Sequence, residues 1–149
     1  MKQLLLVSWL LLLSAILGLP EVKADVRMPL IFGNHMVLQQ DTRITIWGWA
    51  DAGENIEVLF AGQKVRTTAN ADGTWQVKLK PVKTKKKGET LTITGKNKLV
   101  YSDVLVGDVW VASGQSNMEW GIKVRKEYAD DIAHSEDSLL RLFFVPKNT

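Results

Sequence analysis

From Thr42 to Val106 apolar residues recur at every second position, and short clusters of turn residues cut the pattern at regular intervals. That alternation is the signature of strands with one buried face, so this stretch predicts an antiparallel β-domain. Ile44 and Ile46 alternate with Thr45 and Trp47, Asp51 to Glu54 makes a turn, and Ile56, Val58 and Phe60 point one way. Ala61-Gly62-Gln63 reverses the chain. The run from Lys64 to Asn70 leads into Ala71-Asp72-Gly73, where Asp-Gly supplies the positive φ of a tight hairpin, and Trp75, Val77 and Leu79 follow on one face. Pro81 to Gly88 reads as a polar loop, Leu91 and Ile93 as the inward side of a strand, and Gly95-Lys96-Asn97 as a turn into Leu99 to Val106. Six or seven short strands at this spacing favour a sandwich over a barrel. Trp75, Val77, Leu79, Leu91 and Ile93 are expected inward. Trp47 and Trp49 lie out of register with Ile44 and Ile46, which leaves room for one to be exposed, and a sugar-stacking role is the alternative to plain packing there; core packing is the reading for Trp75.

At Val109 the pattern changes. Val109-Trp110-Val111-Ala112 is a continuous apolar run of the kind found in a strand covered on both faces, and a second domain is expected to begin about here. A Gly114 turn, a polar loop, a helix-like stretch from Glu127 to Ala133 and a second apolar run from Leu139 to Val145 follow, which reads as the opening of an α/β unit.

The amino terminus bears on compartment. Lys2, an almost wholly apolar run from Leu4 to Leu19, and Val22-Lys23-Ala24 have the layout of a signal peptide over residues 1 to 24. A membrane span needs about 20 apolar residues, and Pro20 and Glu21 end this run early. The chain contains no cysteine, which excludes a disulfide framework and a lipid-modified cysteine. The formal net charge of +3 becomes about +2 once Lys2, Glu21 and Lys23 are removed, a balance that names no polyanionic partner. The basic run Lys83 to Lys87 lacks interleaved aromatics and reads as a solvated hairpin loop rather than a nucleic-acid patch.

The chemistry centres on Ser113-Gly114-Gln115-Ser116-Asn117. A serine at the carboxyl end of a buried strand stands where open α/β sheets place their ligands. Gly114 permits a sharp turn, so that Ser116 can project its hydroxyl while its own amide points toward a developing oxyanion. These residue types are also ordinary turn formers. A hydroxyl further needs a base, normally a histidine oriented by a carboxylate.

The block from Asp108 to Trp120 resembles the nucleophile block of the sialate O-acetylesterase family, a branch of the SGNH hydrolases. Upstream, Met28 to Gln40, Trp47-Gly48-Trp49-Ala50 and Gly53-Glu54 resemble the start of that family's amino-terminal β-sandwich, and downstream Leu140 to Pro146 resembles the strand after its first helix. The resemblance implies a β-sandwich domain over residues 25 to 106 followed by the truncated start of an α/β/α SGNH-hydrolase domain over 107 to 149. It implies Ser116 as nucleophile, with Gly114, Gln115 and Asn117 at the oxyanion site or pocket. Its substrate would be an acetylated sugar or glycan, attacked in an exported, secreted or periplasmic setting. The family's later glycine, asparagine and Asp-x-x-His block have no counterpart here. Asp131-Ile132-Ala133-His134 spells the last of these by coincidence, within a helix whose i, i+3 pairs are surface contacts. No metal-ligand spacing, phosphate loop or dinucleotide fingerprint occurs, so no cofactor is implied; nor is a nucleic-acid partner, or a membrane once the leader is gone. The competing class is a noncatalytic carbohydrate-binding β-sandwich. The leader carries its own expectation: amino-terminal sequencing of exported material begins within a few residues of Asp25, and a retained Met1 would overturn it.

Overall fold

The computed structural model describes residues 25–116, 121 and 126–145. The signal-peptide reading of residues 1 to 24 therefore lies outside the described residues, as does Asn117. Seven strands dominate: β1 (Val37–Gln39), β2 (Ile44–Trp49), β3 (Asn55–Phe60), β4 (Gln63–Thr68), β5 (Thr74–Leu79), β6 (Lys85–Thr94) and β7 (Lys98–Gly107). They form a five-stranded sheet in the order β1-β7-β6-β3-β4 and a two-stranded sheet of β2 and β5. A 3-10 turn (Lys126–Tyr128) and a short helix α1 (Ala129–Ala133) follow.

Alternation drives this arrangement. In β2 and β5 the buried set is Ile44, Ile46, Trp75, Val77 and Leu79; in β3, β6 and β7 it includes Ile56, Val58, Phe60, Leu91, Ile93, Val104 and Val106. Both sets belong to one apolar cluster, so each sheet is the cover of the other. The five residues expected inward are all buried, none more than 4% exposed. Trp47 and Trp49, in the opposite register, are 40% and 37% exposed.

Three local readings change. The Asp72-Gly73 turn does not close a hairpin, because β4 pairs with β3 and β5 with β2, so the turn carries the chain from one sheet to the other. The β4 edge is already claimed by β3 through a two-residue turn with Ala61 and Gly62 both at positive φ (49° and 74°), whose twist suits adjacent antiparallel strands. The second change concerns the lysine run. Lys85 to Gly88 is the first part of β6, paired to β7 at Lys85↔Val106, and its side chains reach solvent although its backbone is in the sheet. Finally, the sheet is not wholly antiparallel: β1 lies parallel to β7.

The amino-terminal residues are sewn to both sheets. Arg27 and Trp49 exchange backbone hydrogen bonds at 2.8 and 2.9 Å, and the Asn97 side chain bonds both the amide and the carbonyl of Val26 at 2.9 and 3.1 Å. Nearby, the buried Glu54 carboxylate accepts from the amides of Asp51 at 3.2 Å and Lys96 at 2.6 Å, satisfying turn donors with a charged acceptor. Gly48 makes the Arg27 bridge possible, since a Cβ there would stand 2.3 Å from the Arg27 carbonyl oxygen and 3.2 Å from the Trp75 ring. Gly48→Ala is accordingly expected to lower unfolding free energy by about 1–3 kcal/mol in urea titration. Gly33→Ala, whose Cβ would meet nothing within 4 Å, is expected to stay within about 0.5 kcal/mol of the parent. Equal effects of the two substitutions would overturn the argument.

Candidate functional site

Because β1 runs parallel to β7, both strands finish at the same edge, and two glutamines at the end of β1 stand beside the chain as it leaves β7. Gln39 Oε1 accepts a hydrogen bond from the Val109 amide at 2.9 Å, Gln40 Nε2 donates to Asp108 Oδ1 at 3.1 Å, and the Gln40 amide donates to the Gly107 carbonyl at 2.9 Å. The segment that leads to Ser116 is thus gripped at its root.

Beyond that grip the chain stands in solvent. Val109 to Ala112 was expected as a strand covered on both faces; it forms no strand, and Trp110 and Val111 are 88% and 90% exposed. The physical reason is the lack of neighbours, since such a strand draws its ladder bonds and apolar contacts from flanking strands and helices, and among the described residues none pairs with it. Leu139 to Val145 likewise forms no strand and is largely exposed, while the helix expected near Glu127 to Ala133 is present as α1 and the 3-10 turn before it. Gly114, Gln115 and Ser116 are all exposed.

Neither histidine is paired with Ser116. His134 follows α1, and its Nδ1 donates to the Asp130 carbonyl oxygen at 2.8 Å, a main-chain contact rather than a pairing with the Asp131 carboxylate. His35 lies at the other end of the sequence pattern, in the loop before β1. Its Nδ1 is 2.7 Å from Asp103 Oδ2, and the same oxygen accepts from Arg141 Nη2 at 2.8 Å.

This three-residue node was not singled out in the sequence. A signal for it exists: Asp103 occupies the register of Leu99 and Tyr101, so a carboxylate stands where alternation calls for an apolar side chain. Gln39, Gln40 and Arg141 carry no such mark. The His35 hydrogen bond, followed by the charges of Arg141 and His35, holds the Asp103 carboxyl below its ordinary 3.8, against an opposing effect of burial.

On the far side of β2, Trp47 meets Trp49 edge-on at 5.6 Å and 76°, and Phe32 at 6.2 Å and 80°. These part-exposed rings are the surface that sequence reasoning offered to a sugar face. Among the described residues no three His, Cys, Asp or Glu side chains are grouped to hold a metal ion, and no helix is long and apolar enough to cross a membrane.

Comparison with known proteins places this geometry in context. The chain is 37% identical to the sialate O-acetylesterase of Rattus norvegicus along an alignment of 128 residues that takes in 75% of this chain and 23% of the rat protein. The Mus musculus sialate O-acetylesterase is 35% identical along 127 residues, with the same shares covered. Among solved structures, a carbohydrate acetylesterase from Xanthomonas citri superposes with a TM-score of 0.70 at 35% identity, covering 76% of this chain and 26% of that one. The chain therefore spans about a quarter of the length of these relatives. No protein-family model matches it.

Asp103 generates a prediction about pH. A carboxyl whose native pKa is depressed contributes stability that is present above its unfolded value and is lost as pH falls through the lower native value. The stability difference between the parent and Asp103→Asn is therefore expected to be full at neutral pH and to shrink below 3.8, vanishing at more acid pH. Chemical denaturation across that range checks it; a difference independent of pH would remove the ionised carboxylate from the account.

Proposed function

We propose that this chain, which is homologous to the sialate O-acetylesterases along three quarters of its length, belongs to a carbohydrate esterase that removes O-acetyl groups from sialic acids or related acetylated glycans. That shared identity is the observation that carries the reading. In this proposal residues 1 to 24 are a leader, residues 25 to 106 form a β-sandwich, and residues 107 to 149 open an SGNH-type α/β/α domain. Two features support that division. One apolar cluster joins both sheets and stops at Val106, and the apolar runs at Val109 and Leu139 lie bare, as strands of an incompletely assembled sheet would.

Ser116 is the proposed nucleophile. Its Oγ attacks the acetyl carbonyl carbon as its proton passes to a base, and the carbonyl oxygen takes the negative charge. Backbone donors near Gly114 and Gln115, together with the Asn117 side chain, would stabilise that oxyanion. Collapse breaks the bond to the sugar oxygen, which leaves as the alcohol with the proton. Water then attacks the acetyl-serine, acetate departs, and Ser116 recovers its hydrogen. The exposure of Ser116 suits a nucleophile that must meet a bulky sugar. The proposal assigns the base to neither His35 nor His134, because their hydrogen bonds run to Asp103 and to the Asp130 carbonyl and, among the described residues, none joins either of them to Ser116.

A second reading, a noncatalytic carbohydrate-binding module, draws on the part-exposed Trp47 and Trp49. An ester assay separates the two. With an O-acetylated sialoside as substrate, the full-length protein is expected to release acetate, Ser116→Ala to lose at least about a thousandfold in kcat while remaining folded, and the 149-residue chain alone to be essentially inactive. Full activity of Ser116→Ala would refute the nucleophile. Turnover by the short chain that His134→Ala abolishes would show that the Asp131/His134 pair had been wrongly set aside.

A further inference from the structure

We infer that Asp103 and Arg141 form a brace that positions the segment carrying Ser116 against the β-domain, an inference that rests on Ser116 being the nucleophile. From Asp108 onward, α1 and the 3-10 turn bury no residue, and every described residue is exposed except Ile132 and Arg141, which are half-buried. Among the described residues, the hydrogen bonds that tie this segment to the β-domain lie at two places. At the root stand Gln39 and Gln40, bonded to Val109 and Asp108. At the far end Arg141 reaches back to Asp103 on β7.

The far contact is built more firmly than an ordinary surface ion pair, which contributes little. Arg141 retains 27% side-chain exposure, and its Nε is buried with no hydrogen-bond partner among the described residues, so part of the guanidinium has left water to reach Asp103. Asp103 is itself fixed from several directions. Its backbone has φ 52°, a left-handed conformation that a non-glycine residue keeps only where its surroundings enforce it. Gly88 of β6 presses against it, since a Cβ there would stand 2.2 Å from Asp103 Oδ1. His35, also left-handed at φ 62°, holds Oδ2, and the preceding Ser102 is tied to the Asn34 side chain through its amide at 2.8 Å. A carboxylate so oriented offers one acceptor direction to the guanidinium, and Asp108 and Arg141 are each tied to the β-domain. Asp103 and Arg141 are thus positioning residues; they act through the placement of Ser116 and need not touch substrate.

The test is a double-mutant cycle in the full-length protein with an O-acetylated sialoside, scored as kcat per folded molecule. Asp103→Asn and Arg141→Gln are each expected to lower kcat about 10- to 100-fold, because small misplacements of a reacting group carry penalties of that order. KM should move far less. The double variant should lose no more than either single one, and Arg141→Lys should recover part of the loss. Inactivity of Ser116→Ala alongside wild-type kcat in Asp103→Asn and Arg141→Gln would overturn the brace while leaving the esterase reading intact, whereas an active Ser116→Ala would remove the reading on which the brace rests. Multiplicative losses in the double variant would also overturn it. Should Asp103→Asn fold poorly, the Arg141 variants decide alone: a fall in folded yield with kcat per folded molecule unchanged marks a merely structural contact and ends the proposal.

Discussion

One apolar core shared by two sheets is the constraint that the rest of this structure answers to. Ile46 on the two-stranded sheet and Val58, Leu91, Ile93 and Val104 on the five-stranded sheet are all fully buried. A two-stranded sheet is marginal by itself in water, so β2 and β5 persist because the larger sheet covers their inward face. That dependence explains where the turns lead. The chain must pass from sheet to sheet between β4 and β5, which is the work of the Asp72-Gly73 turn. Polar contacts then fix details that apolar burial leaves open: Asn97 substitutes for a strand neighbour at Val26, and Glu54 closes two turns at once.

The inward residues were legible in the sequence because a period of two follows from the pleat itself and needs no knowledge of the partner strand. Partner choice was not legible, for the same reason. Alternation in Lys64 to Asn70 and in Trp75 to Leu79 fits a hairpin between them as well as it fits pairing with β3 and β2, and only the competition among all seven strands decides. Lys85 to Gly88 shows a second limit. Its composition describes what the side chains do, which is to stay in solvent, whereas strand assignment depends on where the backbone finds its hydrogen bonds, and β7 provides those at Val106.

For the candidate site the situation is reversed, since its residues were legible only through resemblance. Ser, Gly, Gln and Asn in sequence have no periodicity to read, and their chemistry depends on neighbours brought from elsewhere in the fold. The apolar runs that flank the Ser116 segment were read correctly as apolar but not as strands in place, because a strand covered on both faces exists only once its neighbours do. Asp103 lay between these cases. Its register was visibly wrong for a charge, yet what the charge was for could not be read until His35, a long way back along the chain, arrived beside it.

The boundary near Gly107 therefore separates two kinds of stability. Before it, residues bury their apolar side against one another, and local substitutions should be felt as losses of packing. After it, the described residues have almost no packing to lose, and their placement depends on a few directional contacts to β1 and β7. Directional contacts of this sort add little to global stability, but they define geometry, because a hydrogen bond or bidentate-capable guanidinium is satisfied over a narrow range of angles. The described contacts between the β-domain and the segment after Gly107 run through Gln39, Gln40 and Asp103 rather than through the core.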